Sequence, residues 1–125
     1  MNKKIIIVED EDNVRETLDL LLTNAGFTVK SSATGKDVFN LIDEFNPDVI
    51  LLDVMLDDID GREICRTIKA DPQTHHIPVL MLSAVPDVYN AIAEVGANDV
   101  VSKPFDEQTL INRIERQLSN ANLHI

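Results

Sequence analysis

The stretch Val49–Leu52, Val-Ile-Leu-Leu, followed directly by Asp53, is the part of the sequence that decides the fold. A short, continuous apolar run of this kind is typical of a strand buried on both faces, as in parallel sheets. Similar runs lie at Ile5–Val8 and Val79–Leu82. Weaker strand signals lie at Thr28–Ser31 and Asp99–Ser102. The sequence therefore predicts five short strands.

The segments between the strands have the apolar period of helices. In each, apolar residues recur three or four positions apart, beginning at Val14, Val38, Ile64, Val88 and Leu110. The candidate helix caps are Asp12, Thr34 and Asp106. Strict alternation of strands and helices predicts an α/β fold, in which helices cover both faces of a parallel sheet.

Composition limits the kinds of protein that this chain can be. Its 125 residues include 22 Asp and Glu against 11 Lys and Arg, a net charge of −11. This length predicts one domain over residues 1–125, and the acidity argues against direct nucleic-acid binding. Cys65 is the single cysteine, which favours a reducing compartment. The apolar runs are far shorter than the roughly 20 residues that span a bilayer, so we expect a cytoplasmic protein without membrane insertion.

Polar residues follow the predicted strands where each strand ends. Glu9 and Asp10 follow the first, Asp53 the third, Ser83 the fourth and Lys103 comes just after the fifth. Because ligands of open α/β sheets sit at the carboxyl ends of the strands, we expect these side chains to converge. Clustered carboxylates repel one another unless a cation compensates, and hard oxygen ligands suit Mg²⁺ or Mn²⁺. A divalent cation, an ammonium and a hydroxyl together fit a phosphoryl group.

Other acidic and basic residues have more ordinary interpretations. We interpret Asp57, Asp58 and Asp60 as a solvated loop that Gly61 ends. For His75, His76 and His124 we expect no catalytic role. Asp53 is different, because it is flanked by apolar residues on both sides and a charge in that setting needs partners.

An aspartyl-nucleophile phosphatase of the haloacid dehalogenase kind is an alternative for this arrangement. Such enzymes carry a second Asp two residues after the nucleophile, where this chain has Met55. The chain also leaves little room for a domain that would enclose a substrate. The phosphatase therefore remains the less favoured hypothesis.

Four motifs together resemble the receiver domain of two-component response regulators. They are Val8–Glu11, Leu51–Leu56 with Asp60 and Gly61, Met81–Ala84, and Gly96–Asp99 leading into Lys103–Phe105. The resemblance covers essentially the whole chain. It implies a doubly wound, flavodoxin-like sheet of five parallel strands in the order 2-1-3-4-5 with five helices.

The resemblance also implies the roles of individual residues. Asp53 would be the phosphoacceptor, and Ser83 and Lys103 would hold phosphoryl oxygens. The ligands of Mg²⁺, which Mn²⁺ could replace, would be Asp10, Asp53, the backbone carbonyl of Met55 and, through water, Glu9. The peptide bond between Lys103 and Pro104 would be cis.

Two positions depart from the family pattern. Val100 stands three residues before Lys103, where the family usually has an aromatic residue that rotates on activation. Asp57 stands where the family usually has proline.

The resemblance implies a phosphorylation-dependent switch or phosphorelay carrier that catalyses only its own phosphorylation and dephosphorylation. Its phosphodonor would be a histidine kinase or a histidine phosphotransfer protein. A downstream protein would bind the face formed by the helix predicted over residues 87–95, the strand ending at Ser102 and the helix after Asp106. We expect a monomer or weak dimer. The alternatives are a receiver module of a longer regulator or hybrid kinase, and a phosphorylation-independent interaction module.

Overall fold

The computed structural model of the chain describes residues 2–84 and 95–123. Five strands form one parallel sheet in the order β2-β1-β3-β4-β5. They are β1 (Lys4–Val8), β2 (Thr28–Ser32), β3 (Val49–Asp53), β4 (Val79–Ser83) and β5 (Asp99–Ser102). This confirms the α/β fold expected from the alternating pattern and the strand order implied by the resemblance.

Four helices lie within the described residues. They are α1 (Asp12–Asn24), α2 (Val38–Phe45), α3 (Gly61–Ala70) and α4 (Glu107–Leu123). The helix that the sequence predicts over residues 87–95 lies almost entirely outside the described residues. Over the ranges that the structure covers, no helix is both long and apolar enough to cross a membrane.

Two of the three predicted helix caps are wrong, and local hydrogen bonds explain why. The Thr34 hydroxyl donates to the Asp37 carboxylate at 2.7 Å, and α2 begins only at Val38. Asp12 is already the first residue of α1, where its carboxylate accepts from Arg15 at 2.6 Å. Asp106 does cap α4, accepting the Thr109 N–H at 3.0 Å.

The sheet has a hydrophobic core on each face. Because strand side chains alternate, Ile6 and Leu52 face one way and pack with α2 and α3. Ile5 and Leu51 face the other way and pack with α1 and α4. Burying an aliphatic side chain of this size stabilises the fold by about 1.5–3 kcal/mol. The central strands are therefore held rigidly from both faces, and so are the residues at their ends.

A carboxylate joins two loops at the carboxyl edge of the sheet. Asp58, between β3 and α3, accepts the backbone N–H groups of Gly35 at 3.0 Å and of Lys36 at 3.1 Å. The hydrogen bond from Gly35 is the main reason that the pKa of Asp58 is lowered, and the bond from Lys36 adds to this effect. The two loops are thereby tied to each other through a side chain that local sequence pattern assigns to solvent.

We expect this tie to make stability depend on pH. A carboxyl group whose pKa is lower in the folded state stabilises the fold above its unfolded pKa of about 3.9, and that stabilisation is lost as the pH falls through the folded value. Asp58→Asn keeps an acceptor but loses the charge, so at pH 7 it should cost at most about 1 kcal/mol, because solvent screens this exposed group. The difference from wild type should shrink below about pH 4.

Thermal unfolding followed by circular dichroism between about pH 7 and pH 3 measures this effect. Glu44→Gln, on the exposed side of α2, controls for the loss of one negative charge. A difference between Asp58→Asn and wild type that stays constant over this pH range would contradict the expectation.

Candidate functional site

Three carboxylates meet at the ends of β1 and β3. One oxygen from each of Glu9, Asp10 and Asp53 lies within 4.8 Å of the others. Glu9 is 1% exposed and Asp53 4%, whereas Asp10 is partly accessible. The structure thus brings together the acidic residues that the strand ends predicted. Parallel pairing of β1 with β3 places them side by side.

Lys103 supplies the positive charge that this buried cluster needs. Its Nζ lies 2.6 Å from Glu9 Oε1 and 3.3 Å from Asp53 Oδ1. Burial raises the pKa of Glu9, the hydrogen bond from Lys103 opposes that effect, and Asp53 adds to it. Burial works to lower the pKa of Lys103, but its contacts with Glu9 and Asp53 outweigh burial and raise it. The ammonium therefore stays charged and offsets part of the negative charge.

Ser83 and Lys103 are joined through the backbone. Ser83 is buried at the end of β4, and its carbonyl accepts the Lys103 N–H at 2.7 Å. β5 pairs with β4 up to Ser102, immediately before Lys103. The peptide bond between Lys103 and Pro104 is cis, as the resemblance implied. The backbone positions of these two residues therefore depend on each other.

Gly61 lies directly behind the Asp53 backbone. A Cβ at Gly61 would overlap the Asp53 carbonyl oxygen and would lie 3.0 Å from the Asp53 carbonyl carbon. The Gly61 N–H donates to the Val54 carbonyl at 2.9 Å. Asp60 caps α3 by accepting the Arg62 N–H at 2.9 Å. The hydrogen bond from the Arg62 side chain and, after it, the bond from the Arg62 N–H lower the pKa of Asp60. Only glycine allows this helix to begin so close to Asp53.

The third loop acid, Asp57, contacts the carboxylate cluster itself. Its backbone N–H donates to Asp10 Oδ2 at 2.8 Å. The pKa of Asp57 is raised, first because the Asp10 charge repels its ionised form and then because Asp10 accepts a hydrogen bond from its protonated form. The sequence interpretation missed this contact. The one signal for it was the departure from the usual proline at this position.

Met55 and Val100 also lie near the strand ends. The Met55 side chain is 66% exposed, and its backbone N–H donates to Asp53 Oδ1 at 3.3 Å. Val100 is buried in the core shared with α2 and α3. The side chain that β5 itself contributes at this position is therefore aliphatic.

The donor set fits a small, hard divalent cation. All three clustered side chains offer carboxylate oxygens, the ligand type that Mg²⁺ and Mn²⁺ prefer. Lys103 compensates one negative charge and leaves the cluster with a net negative charge. A cation at this place would reduce the repulsion among the carboxylates.

Comparison with known proteins identifies the family. The sequence pattern of the response regulator receiver domain matches residues 5–115. The chain therefore belongs to the receiver domain family of two-component signalling. Receiver domains are signalling modules that interact with histidine kinases and with downstream effectors.

Individual relatives agree with this family. The chain is 36% identical over 122 residues to a protein of Guillardia theta named "probable transcriptional regulator ycf27", covering 96% of this chain but 47% of that protein. The chain thus spans about half the length of this relative.

Two solved structures have the same fold over nearly their whole length. A candidate response regulator from Chloroflexus aurantiacus superimposes with a TM-score of 0.90 at 37% identity, covering 95% of this chain and 99% of that one. The receiver domain of the Pseudomonas aeruginosa sensor histidine kinase PA1611, with a magnesium ion in its active-site cleft, gives 0.87 at 25% identity, covering 95% and 99%.

We predict that Gly61→Ala destabilises the protein by about 1–3 kcal/mol, because the added methyl group can be accommodated only by moving the backbone of Asp53. Gly35→Ala is the matched control. Its Cβ would lie 2.5 Å from Ile64 Cδ1, the end of a side chain that can rotate away. Urea unfolding of both variants measures the difference. Equal destabilisation by the two substitutions would show that the contact with Asp53 is not the cause.

Proposed function

We propose that this chain is a phosphorylation-dependent switch or phosphorelay carrier that accepts a phosphoryl group on Asp53. The observation that carries the proposal is the position of Asp53. It ends β3 within 4.8 Å of two further carboxylates, and Lys103 Nζ lies 3.3 Å from its Oδ1. The donor would be a phosphohistidine of a sensor kinase or of a phosphotransfer protein, the source that two-component signalling uses.

The Mg²⁺ ligands in this proposal come from two strand ends and one loop. Asp10 and Asp53 would bind the cation directly, Met55 through its backbone carbonyl, and Glu9 through water. Mn²⁺ could take the same place. When bound, the cation supplies charge neutralisation for the phosphoryl oxygens and orients them. The shape of the site comes from the rigid sheet and needs no rearrangement of the core.

In the transfer itself, an oxygen of Asp53 attacks the phosphorus atom. A bond forms between them as the bond between phosphorus and the histidine nitrogen breaks, and the electron pair of the broken bond stays with the imidazole. Such transfers depend on alignment and electrostatic stabilisation more than on covalent help from the protein. Lys103 and Ser83 would hold the oxygens of the transferred group. Carboxylates are established nucleophiles for this chemistry.

This function differs from that of a phosphatase acting on other substrates. The proposed chemistry is limited to the chain's own phosphorylation and dephosphorylation. Met55 offers no second carboxylate two residues after Asp53, and its exposed side chain is apolar. A phosphorylation-independent interaction module would have no use for a lysine, Lys103, that contacts two buried acids, so we favour the switch.

The chain would act either alone or as the receiver module of a longer regulator or hybrid kinase. The second arrangement is supported by the Guillardia theta relative, of which the chain spans 47%. In both arrangements we treat residues 1–125 as one receiver domain, a monomer or weak dimer. Its downstream partner would be a protein that binds the face next to β5 and α4.

Phosphorylation of Asp53 can be tested directly. Incubation with Mg²⁺ and a small phosphodonor should add one phosphoryl group, detected by intact mass spectrometry. Asp53→Asn should add none, because the amide is not a nucleophile of this kind. A wild-type chain that gains no mass, or an Asp53→Asn variant that gains as much as wild type, would refute the proposal.

Asp10→Ala serves as the control for the cation. It should abolish phosphorylation while the fold survives or gains stability, because removal of one carboxylate relieves repulsion in the cluster. If Asp10→Ala is phosphorylated at the wild-type rate in Mg²⁺, the metal assignment is wrong.

Transmission of the signal from Asp53 to the rest of the domain can also be tested. Phosphorylation adds about −1.5 to −2 charge at Asp53, and Ser83 and Lys103 would adjust to the new phosphoryl oxygens by moving with the ends of their strands. With Val100 in place of an aromatic residue, this motion should occur without a rotating ring. Amide chemical shifts with and without beryllofluoride, a phosphoryl mimic, should change over residues 84–102. Changes confined to the neighbours of Asp53 would instead favour a passive phosphoryl carrier.

A further inference from the structure

The loop between β3 and α3 reaches the carboxylate cluster at one atom. The backbone N–H of Asp57 donates to Asp10 Oδ2 at 2.8 Å, between residues that are 47 positions apart in the sequence. The Asp57 side chain is exposed and lies beside the Asp10 carboxyl group. One residue thus contacts a proposed metal ligand through its backbone and also places a further acid next to it.

We propose that Asp57 increases the affinity of this site for divalent cations, by holding Asp10 through its N–H and by adding a fourth carboxylate at the rim. The proposal rests on the proposed function, because it takes the cluster of Glu9, Asp10 and Asp53 to be the cation site. Asp57 is in this sense a positioning residue for Asp10 and an electrostatic neighbour of the cation.

The hydrogen bond limits where the Asp10 side chain can lie. Asp10 is partly accessible, unlike Glu9 and Asp53, so packing restrains it less. The N–H of Asp57 supplies a restraint on one carboxylate oxygen of Asp10, Oδ2. Proline, the residue usual at this position in the family, has no N–H and could not make this bond.

The charges around the cluster are distributed unevenly. Lys103 lies against Glu9 and Asp53 and compensates that end of the cluster. Among residues 2–84 and 95–123, no lysine or arginine side chain forms an ion pair with Asp10 or Asp57. The charges of Asp10 and Asp57 are therefore left for a cation to compensate. Because Asp57 is exposed, its contribution should weaken as the salt concentration rises.

Two variants separate these contributions. Asp57→Asn keeps the N–H and removes the charge, whereas Asp57→Pro removes both. We expect Asp57→Asn to raise the dissociation constant of Mg²⁺ about threefold to tenfold at about 0.02 M KCl, and the increase to shrink at about 0.5 M KCl. Asp57→Pro should bind more weakly than Asp57→Asn by a further factor of about three, at both salt concentrations.

Isothermal titration with Mg²⁺ alone, repeated with Mn²⁺, measures these constants without any phosphodonor. Glu44→Gln is the matched control, because it removes one exposed carboxylate far from the cluster. Glu44 lies near the end of α2, which leads into the start of β3, whereas the cluster lies at the other end of that strand. It should bind Mg²⁺ as wild type does. Thermal unfolding in EDTA verifies that every variant is folded.

The outcomes distinguish this inference from the proposed function. If wild type binds Mg²⁺ and Asp10→Ala does not, but Asp57→Asn binds within about twofold of wild type at low salt, the fourth carboxylate is refuted and the proposed site stands. If Asp57→Pro binds as tightly as Asp57→Asn, the positioning role is refuted. If Asp10→Ala binds as wild type does, the proposed site itself is wrong.

Discussion

The structure depends on one ammonium, that of Lys103, held between two buried carboxylates. Lys103 comes from the end of β5, Glu9 from the end of β1 and Asp53 from β3, so this contact crosses the carboxyl edge of the sheet. Unpaired charges at such burial would be costly, and removing one partner of a buried pair is strongly destabilising. The pairing is possible only because rigid parallel strands deliver their ends to the same place. The geometry of the site therefore depends directly on the packing of the sheet.

The parts of this arrangement that follow from local pattern were predictable. Apolar runs indicate strands, and the rule for parallel sheets brings together the polar residues that follow them, as Asp53 and Lys103 illustrate. The strand order was available only from the resemblance. The predicted helix caps at Thr34 and Asp12 were wrong. The Thr34 hydroxyl donates to the Asp37 carboxylate, and the Asp12 carboxylate accepts from the Arg15 side chain. The local sequence pattern does not predict which residue, distant in the sequence, an acidic loop residue will contact.

The loop that follows β3 shows this limit most clearly. Its three acids form an undifferentiated polar stretch in the sequence, yet each has a separate role. Asp57 contacts Asp10, Asp58 accepts hydrogen bonds from the neighbouring loop, and Asp60 caps α3. The partners of the first two lie 47 and 23 positions away. Membership of the receiver family explains why such a loop lies beside Asp53, but the chain's own residues decide how charged it is.

The Asp58 contact also makes the two sides of the site around Asp53 unequal. Its bonds to Gly35 and Lys36 connect the loops after β2 and β3, and Gly61 packs directly against the Asp53 backbone. A charge placed on Asp53 thus meets resistance toward β2. On the other side of Asp53, the ends of β4 and β5 meet where the Lys103 N–H donates to the Ser83 carbonyl. We therefore expect a negative charge added to Asp53 to displace the ends of β4 and β5 more than the side of the site next to β2.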